Sequence, residues 1–133
     1  MADNVAFELV SPERLLVSRE VEMVVVPGSE GDFGVLPDHA PMISTVRPGI
    51  IEIYEGGAVT ERIFVAGGFA EVTGERCTVL ADEATPVKDI DRKAAEAQLA
   101  TLQSELAGLI KDEERARQEA RIEALEAKLA AAA

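Results

Sequence analysis

The periodicity of this sequence changes once, near residue 88, and that change limits what the chain can fold into. Residues 5 to about 87 carry short β-branched runs separated by turn residues, the pattern of strands. The runs are 5–10, 15–18, 21–26, 34–36, 43–46, 50–54, 59–66, 69–73, 78–81 and 84–87. Pro27-Gly28, Gly31, Pro37, Pro41, Pro48-Gly49, Gly56-Gly57, Gly67-Gly68 and Gly74 punctuate them. Gly56-Gly57 and Gly74-Glu75 read as hairpin turns, where glycine takes positive φ without steric cost. Many short strands at close spacing predict a sandwich or barrel. In Ile51-Glu52-Ile53 the alternation predicts a strand with one buried face, whereas Met23-Val24-Val25-Val26 reads as buried on both, in a sandwich interior or under a partner.

Beyond Asp89 glycine and proline nearly vanish, and Ala, Leu, Glu, Gln, Lys and Arg take over, all strong helix formers. Asp89 or Asp91 is a natural N-cap. Ala95, Leu99, Leu102, Leu106 and Leu109 step by four and three and predict one apolar helix face. The next set, Ile122, Leu125 and Leu129, is out of phase with it. The break predicts a first helix ending near 108–111, a second capped by Asp112, and an antiparallel hairpin between them, with 130–133 frayed. The expected fold is therefore α+β: a β-domain over 1–87 followed by a two-helix hairpin over 88–133.

Charge narrows the function. Of 133 residues, 25 are Asp or Glu and 13 are Lys or Arg, a net of −12. Through residue 87 five basic residues face fifteen acidic ones; beyond it eight face ten. Nucleic-acid binding needs clustered cations to displace counterions, and anionic lipid attracts polybasic segments. Neither is present, so the expected partner is a basic protein surface, with any membrane contact indirect. No apolar run reaches the ~20 residues that span a bilayer, and the start Met1-Ala2-Asp3-Asn4 does not resemble a signal peptide, so a cytoplasmic chain is expected.

Catalytic groups are sparse. Asp38-His39 is the only acid–histidine neighbour pair, and adjacent side chains on an extended chain point apart. One Cys and one His cannot make a zinc site, and no calcium-loop pattern occurs, so no metal is expected. Cys77, the single cysteine, reads as a small strand residue. Pro27-Gly28-Ser29-Glu30-Gly31-Asp32-Phe33-Gly34 is glycine-rich but lacks the Gly-Lys-Ser/Thr ending of a phosphate cradle, and Glu30 and Asp32 would repel phosphate. It reads either as a turn between two strands or as an exposed acidic loop that touches a basic partner.

The segment Ser29-Glu30-Gly31-Asp32-Phe33-Gly34-Val35-Leu36-Pro37-Asp38-His39-Ala40-Pro41 resembles the signature loop of the epsilon subunit of bacterial F-type ATP synthase, called delta in mitochondria. Val46-Arg47-Pro48-Gly49, 65–72 and Val79-Leu80-Ala81-Asp82 are similar to further segments of that family. The resemblance spans the whole chain. It implies a sandwich of two mostly antiparallel sheets with a C-terminal two-helix hairpin. It also implies a non-catalytic rotor subunit at the foot of gamma on the c ring, coupling proton flow to ATP synthesis at the cytoplasmic face of the bacterial inner membrane. Residue by residue, it implies a c-ring contact at Glu30, Asp32 and Phe33 and a gamma-facing surface at His39 and Met42.

Some relatives bind ATP through a motif of Ile or Leu, Asp, two free positions, Arg and Ala. Here Ile90, Asp91 and Arg92 open the segment, but Ala94 holds the arginine position, so the motif is degenerate and no cofactor is expected. In other relatives a basic last helix inhibits ATP hydrolysis by meeting the alpha and beta subunits. Arg115, Arg117 and Arg121 are its counterparts here, though 113–126 carry many glutamates that also read as a solvated, ion-paired face. The competing readings are a nucleotide-responsive regulator resting on Ile90 and Asp91, and an enzyme resting on Asp38-His39.

Overall fold

Each of the ten expected runs becomes a strand in the computed structural model, which describes residues 4–132. They are β1 (Val5–Val10), β2 (Leu15–Val21), β3 (Met23–Gly28), β4 (Gly31–Val35), β5 (Met42–Thr45), β6 (Gly49–Glu55), β7 (Ala58–Val65), β8 (Gly68–Val72), β9 (Arg76–Ala81) and β10 (Ala84–Pro86). The reading of Met1–Asp3 as an ordinary start lies outside the described residues. Two five-stranded sheets result, one ordered β2-β1-β9-β8-β5 and the other β10-β7-β6-β3-β4. Within them, all strand pairs but β1 with β9 are antiparallel. That parallel pair joins strands far apart in sequence, as parallel neighbours require.

The core fills the space between the sheets. Val5, Phe7 and Leu9 of β1, Ile51 and Ile53 of β6, and Ile63 and Val65 of β7 are fully buried, and their neighbours in sequence alternate outward in β1 and β6. Each such side chain contributes roughly 2 kcal/mol relative to exposure, so this layer dominates the stability of the domain. Gly56 (φ 65°) and Gly57 (φ 79°) form the two-residue turn of the β6–β7 hairpin, both in the left-handed region as a type I′ turn demands. Gly74-Glu75 turns β8 into β9, closed by the Thr73 amide donating to the Arg76 carbonyl at 2.8 Å.

One expectation for the strands is corrected. Within the chain itself Met23-Val24-Val25-Val26 is not buried on both faces, which removes the sandwich-interior form of that reading: Val24 and Val26 enter the core, while Met23 and Val25 are only half-buried on the other side. An apolar run hides the strand alternation because both faces carry the same residue type.

Two devices hold the sheets together at their margins. Arg19 of β2 reaches across to Glu55 at 3.1 Å and Glu61 at 3.0 Å, both on the opposite sheet. The Thr60 hydroxyl, at 2.6 Å, joins Arg19 in holding the Glu55 carboxyl below the usual carboxylate range. At the other margin the chain leaving β5 changes sheets. The Val46 amide donates to Gly68 of the first sheet at 3.0 Å, while Val46 bridges Gly28 of the second.

The second compact unit begins at Val87, directly after β10. A single 3₁₀ turn (Val87–Asp89) precedes α1 (Arg92–Leu106), and α2 (Asp112–Ala132) follows. Asp91, not Asp89, is the N-cap: its carboxylate accepts from the Ala94 amide at 3.0 Å. On α1 and its exit, Ala95, Leu99, Leu102, Leu106 and Leu109 are the shielded positions, and Ile122, Leu125 and Leu129 are shielded on α2. The expected fraying is not found over 130–132, where α2 continues and Ala131 is buried; Ala133 lies outside the described residues.

Candidate functional site

The acidic segment is a tight hairpin. Gly28 ends β3, Gly31 opens β4, and Ser29-Glu30 is the turn between them. Gly28 and Gly31 are therefore strand residues, which corrects their reading as loop punctuation. A Cβ on Gly28 would lie 2.8 Å from the Phe33 ring and 2.9 Å from the Gly31 carbonyl, so close packing requires glycine here. Asp32 and Phe33 are in β4 rather than in a loop. Phe33 is half-buried against the core, and Glu30 and Asp32 are exposed. Glu30 makes no ion pair among the described residues. Asp32 does: its carboxylate accepts from Arg47 Nη2 at 2.5 Å.

The next segment is also turned tightly. Pro37 and Asp38 are the central residues of a turn closed by the His39 amide donating to Leu36 at 3.2 Å, and Asp38 has φ 67°, a left-handed value. The Asp38 amide donates to Gly74 at 2.7 Å. His39 is half-buried, and its Nδ1 lies 2.7 Å from the Ala40 carbonyl. That contact orients the ring toward its own backbone, away from a base-and-acid pairing with Asp38. Met42 packs partly against the core, and its neighbour Ile43 points outward, 71 % exposed.

Ile43 belongs to an apolar surface that the sequence reading did not single out. On the outer face of the first sheet Phe69 is register-paired with Leu80, and Leu80 with Val10; Phe69 and Leu80 are each more than half exposed. Their signal was present as apolar residues on the polar beat of β8 and β9. Exposed large apolar groups in adjacent positions mark interaction surfaces.

In the helical unit, the candidate nucleotide residues are engaged locally. Asp91 caps α1, Arg92 pairs with Glu96 at 3.1 Å along the same helix, and Ile90 is half-buried. The candidate basic residues divide. Arg115 Nη1 donates to the carbonyls of Leu106 at 2.9 Å and Leu109 at 3.1 Å, so it serves the C-terminal end of α1, which has no basic residue in its own last turn. Arg117 and Arg121 are exposed and flank a shallow groove with Leu109, Glu114 and Gln118. Gln118 was missed from sequence; it is buried and donates to the Leu102 carbonyl at 3.2 Å. No group of three or more metal-ligating side chains occurs among the described residues. Burial pushes the Cys77 thiol from 9.0 up to about 12, which keeps it protonated and unreactive at neutral pH.

Comparison with known proteins decides the family. Residues 4–87 match the family model for the ATP synthase delta/epsilon chain β-sandwich domain. The chain is 61% identical over 106 residues to the ATP synthase epsilon chain of Rhodospirillum rubrum, covering 80% of this chain and 79% of that one. The chain belongs to the ATP synthase delta/epsilon family. A second epsilon chain, from Paramagnetospirillum magneticum, is 63% identical over 98 residues, 74% of each chain. The fold extends the likeness through the hairpin: a chain in the Euglena gracilis mitochondrial ATP synthase OSCP/F1/c-ring structure covers 98% of this chain, with 82% of its own length covered, at TM-score 0.81 and 25% identity. A chain of the Tetrahymena thermophila central stalk and c-ring structure shares the fold at TM-score 0.67 and 14% identity, with 97% of this chain and 96% of that chain covered. This epsilon-family chain is thus a non-catalytic stalk subunit of an F-type ATP synthase. The sparse catalytic inventory has a simple reason: its surfaces serve assembly.

Proposed function

We propose that the β-sandwich is held between the gamma subunit and the c ring, at the cytoplasmic face of a bacterial inner membrane, and transmits rotation between them. The observation that carries this reading is the contrast between two surfaces of one rigid domain. The β3–β4 tip offers carboxylates, with Phe33 beneath them fixing the turn. Basic c-ring loops are the partner assigned to it. The first sheet offers the exposed apolar side chains Ile43, Phe69 and Leu80, beside the His39–Met42 segment. A broad apolar face suits a long-lived contact, and gamma is the partner assigned to it; the charged tip sets orientation and register more than affinity. No described helix is long and apolar enough to cross a membrane, so the membrane is reached through the c ring.

The hairpin is assigned a regulatory contact with the alpha and beta subunits through Arg117 and Arg121, which are free of the intramolecular duty that Arg115 performs. No nucleotide site is assigned to Ile90, Asp91 and Arg92, because Ala94 stands at the arginine position of the motif and the Asp91 carboxylate caps α1. The test is proton-driven ATP synthesis by the assembled enzyme carrying Glu30→Lys with Asp32→Lys. Impaired synthesis with normal assembly is expected; unchanged synthesis would remove the c-ring assignment.

A further inference from the structure

Arg47 is fifteen residues from Asp32 in sequence, yet its side chain holds both strands of the acidic hairpin. Nη1 donates to the carbonyl of Gly28, the last residue of β3, at 2.5 Å. Nη2 donates to the carboxylate of Asp32, the second residue of β4, at 2.5 Å. A planar guanidinium can serve two acceptors at fixed separation, which a lysine ammonium does only by moving.

The donor is itself firmly rooted. The Arg47 amide donates to the Pro27 carbonyl at 2.9 Å, and the Ser29 amide donates to Thr45 at 3.0 Å. Val46, just before it, is buried and bridged to Gly28. After Pro48, a Cβ on Gly49 would come within 2.8 Å of the Pro27 Cβ. The turn that carries Glu30 is thereby stapled from one side by a segment that also belongs to the other sheet.

We propose that Arg47 is the positioning residue of the acidic tip, that Asp32 acts through it from within the chain, and that Glu30 is the charge offered to the basic partner. This rests on the c-ring reading above and sharpens it. Of the two acids at the tip, one is neutralised by its own subunit, and the partner meets a single carboxylate on a fixed turn. The pair itself is half-exposed, so its effect is on tip geometry rather than on global stability.

Two readouts test it. In the full-length free chain, amide hydrogen exchange at Ser29 is expected to be about threefold faster in Arg47→Ala and in Asp32→Asn, and to return only part of the way toward the wild-type rate in the reciprocal exchange Asp32→Arg with Arg47→Asp, which re-forms the ion pair but leaves the Gly28 carbonyl without its donor. Arg47→Lys should restore part of the protection. In the assembled synthase the reciprocal exchange should retain ATP synthesis, because it preserves the pair, while Glu30→Lys should impair it. Unaltered exchange in Arg47→Ala overturns the positioning role. A protected tip with lost synthesis in the reciprocal exchange overturns it too, since the Asp32 charge would then itself meet the partner. If Glu30→Lys and every pair variant leave synthesis intact, the c-ring reading fails, and the exchange data still decide what Arg47 does.

Discussion

The sandwich and the hairpin are stabilised in different ways. The sandwich buries Phe7, Leu9, Ile51, Ile53 and Ile63 completely, in strands whose backbone bonds reach far along the sequence. In the hairpin the buried side chains are Ala95, Gln118, Leu125 and Ala131, and its helices are joined in part by Gln118 and Arg115 donating to main-chain carbonyls of α1 and its exit. One unit is built for rigidity by apolar volume. The other is held by a thin, mostly half-buried apolar stripe and a few polar contacts, so it should open locally at a lower free energy. A rigid platform for partners and a labile regulatory element are what the proposed role requires of each.

The largest expected effect separates the units most clearly. Ile53→Ala leaves a cavity in the core and should cost about 3 kcal/mol of unfolding free energy, whereas Leu125→Ala, on the thin helical interface, should cost about half that and act only on hairpin protection. Denaturant unfolding with amide exchange resolved along the chain distinguishes them; equal, global effects would break the comparison. Next comes pH. Cys77 stays protonated in the folded sandwich to about 12 and ionises near 9.0 otherwise. Its contribution is therefore constant below the lower value and lost above it, by roughly 1.4 kcal/mol per pH unit. Denaturant midpoints from about pH 8 to about pH 10 should fall more steeply in the wild type than in Cys77→Ala.

In the hairpin, Arg115→Ala removes the donor to Leu106 and Leu109 and should cost about 1 kcal/mol, seen as faster exchange over the end of α1 with the sandwich unchanged. The smallest effect is in the loop before β5. Asp38→Gly relieves a left-handed residue and should raise stability by about 0.5 kcal/mol in thermal unfolding, after the added chain entropy of glycine is counted. A loss instead would mean that the Asp38 side chain is needed there.

The strands and helices were legible because their signals are local. Alternation at Ile51-Glu52-Ile53, paired glycines at 56 and 57, and the stripe from Ala95 to Leu109 each act over a few residues. What sequence did not disclose depends on topology. Arg47 meets Asp32 only because the chain leaving β5 crosses to the other sheet, and Arg115 serves Leu106 only because the hairpin folds back. Gly28 looked like a loop residue because a glycine needed for close packing and a glycine needed for a turn are spelled alike. The site was half legible for the same reason. Glu30 and His39 could be named as candidates from the motif, while the outward turn of Ile43 beside Met42 depends on strand register, which places Met42 opposite core residue Val72.

The most direct measurement is size-exclusion chromatography of the full-length chain mixed with the gamma subunit of the same organism. The account predicts co-elution as a one-to-one complex, weakened when Ile43 and Phe69 are replaced by aspartate in a chain that still folds. Separate elution of two folded proteins would contradict it.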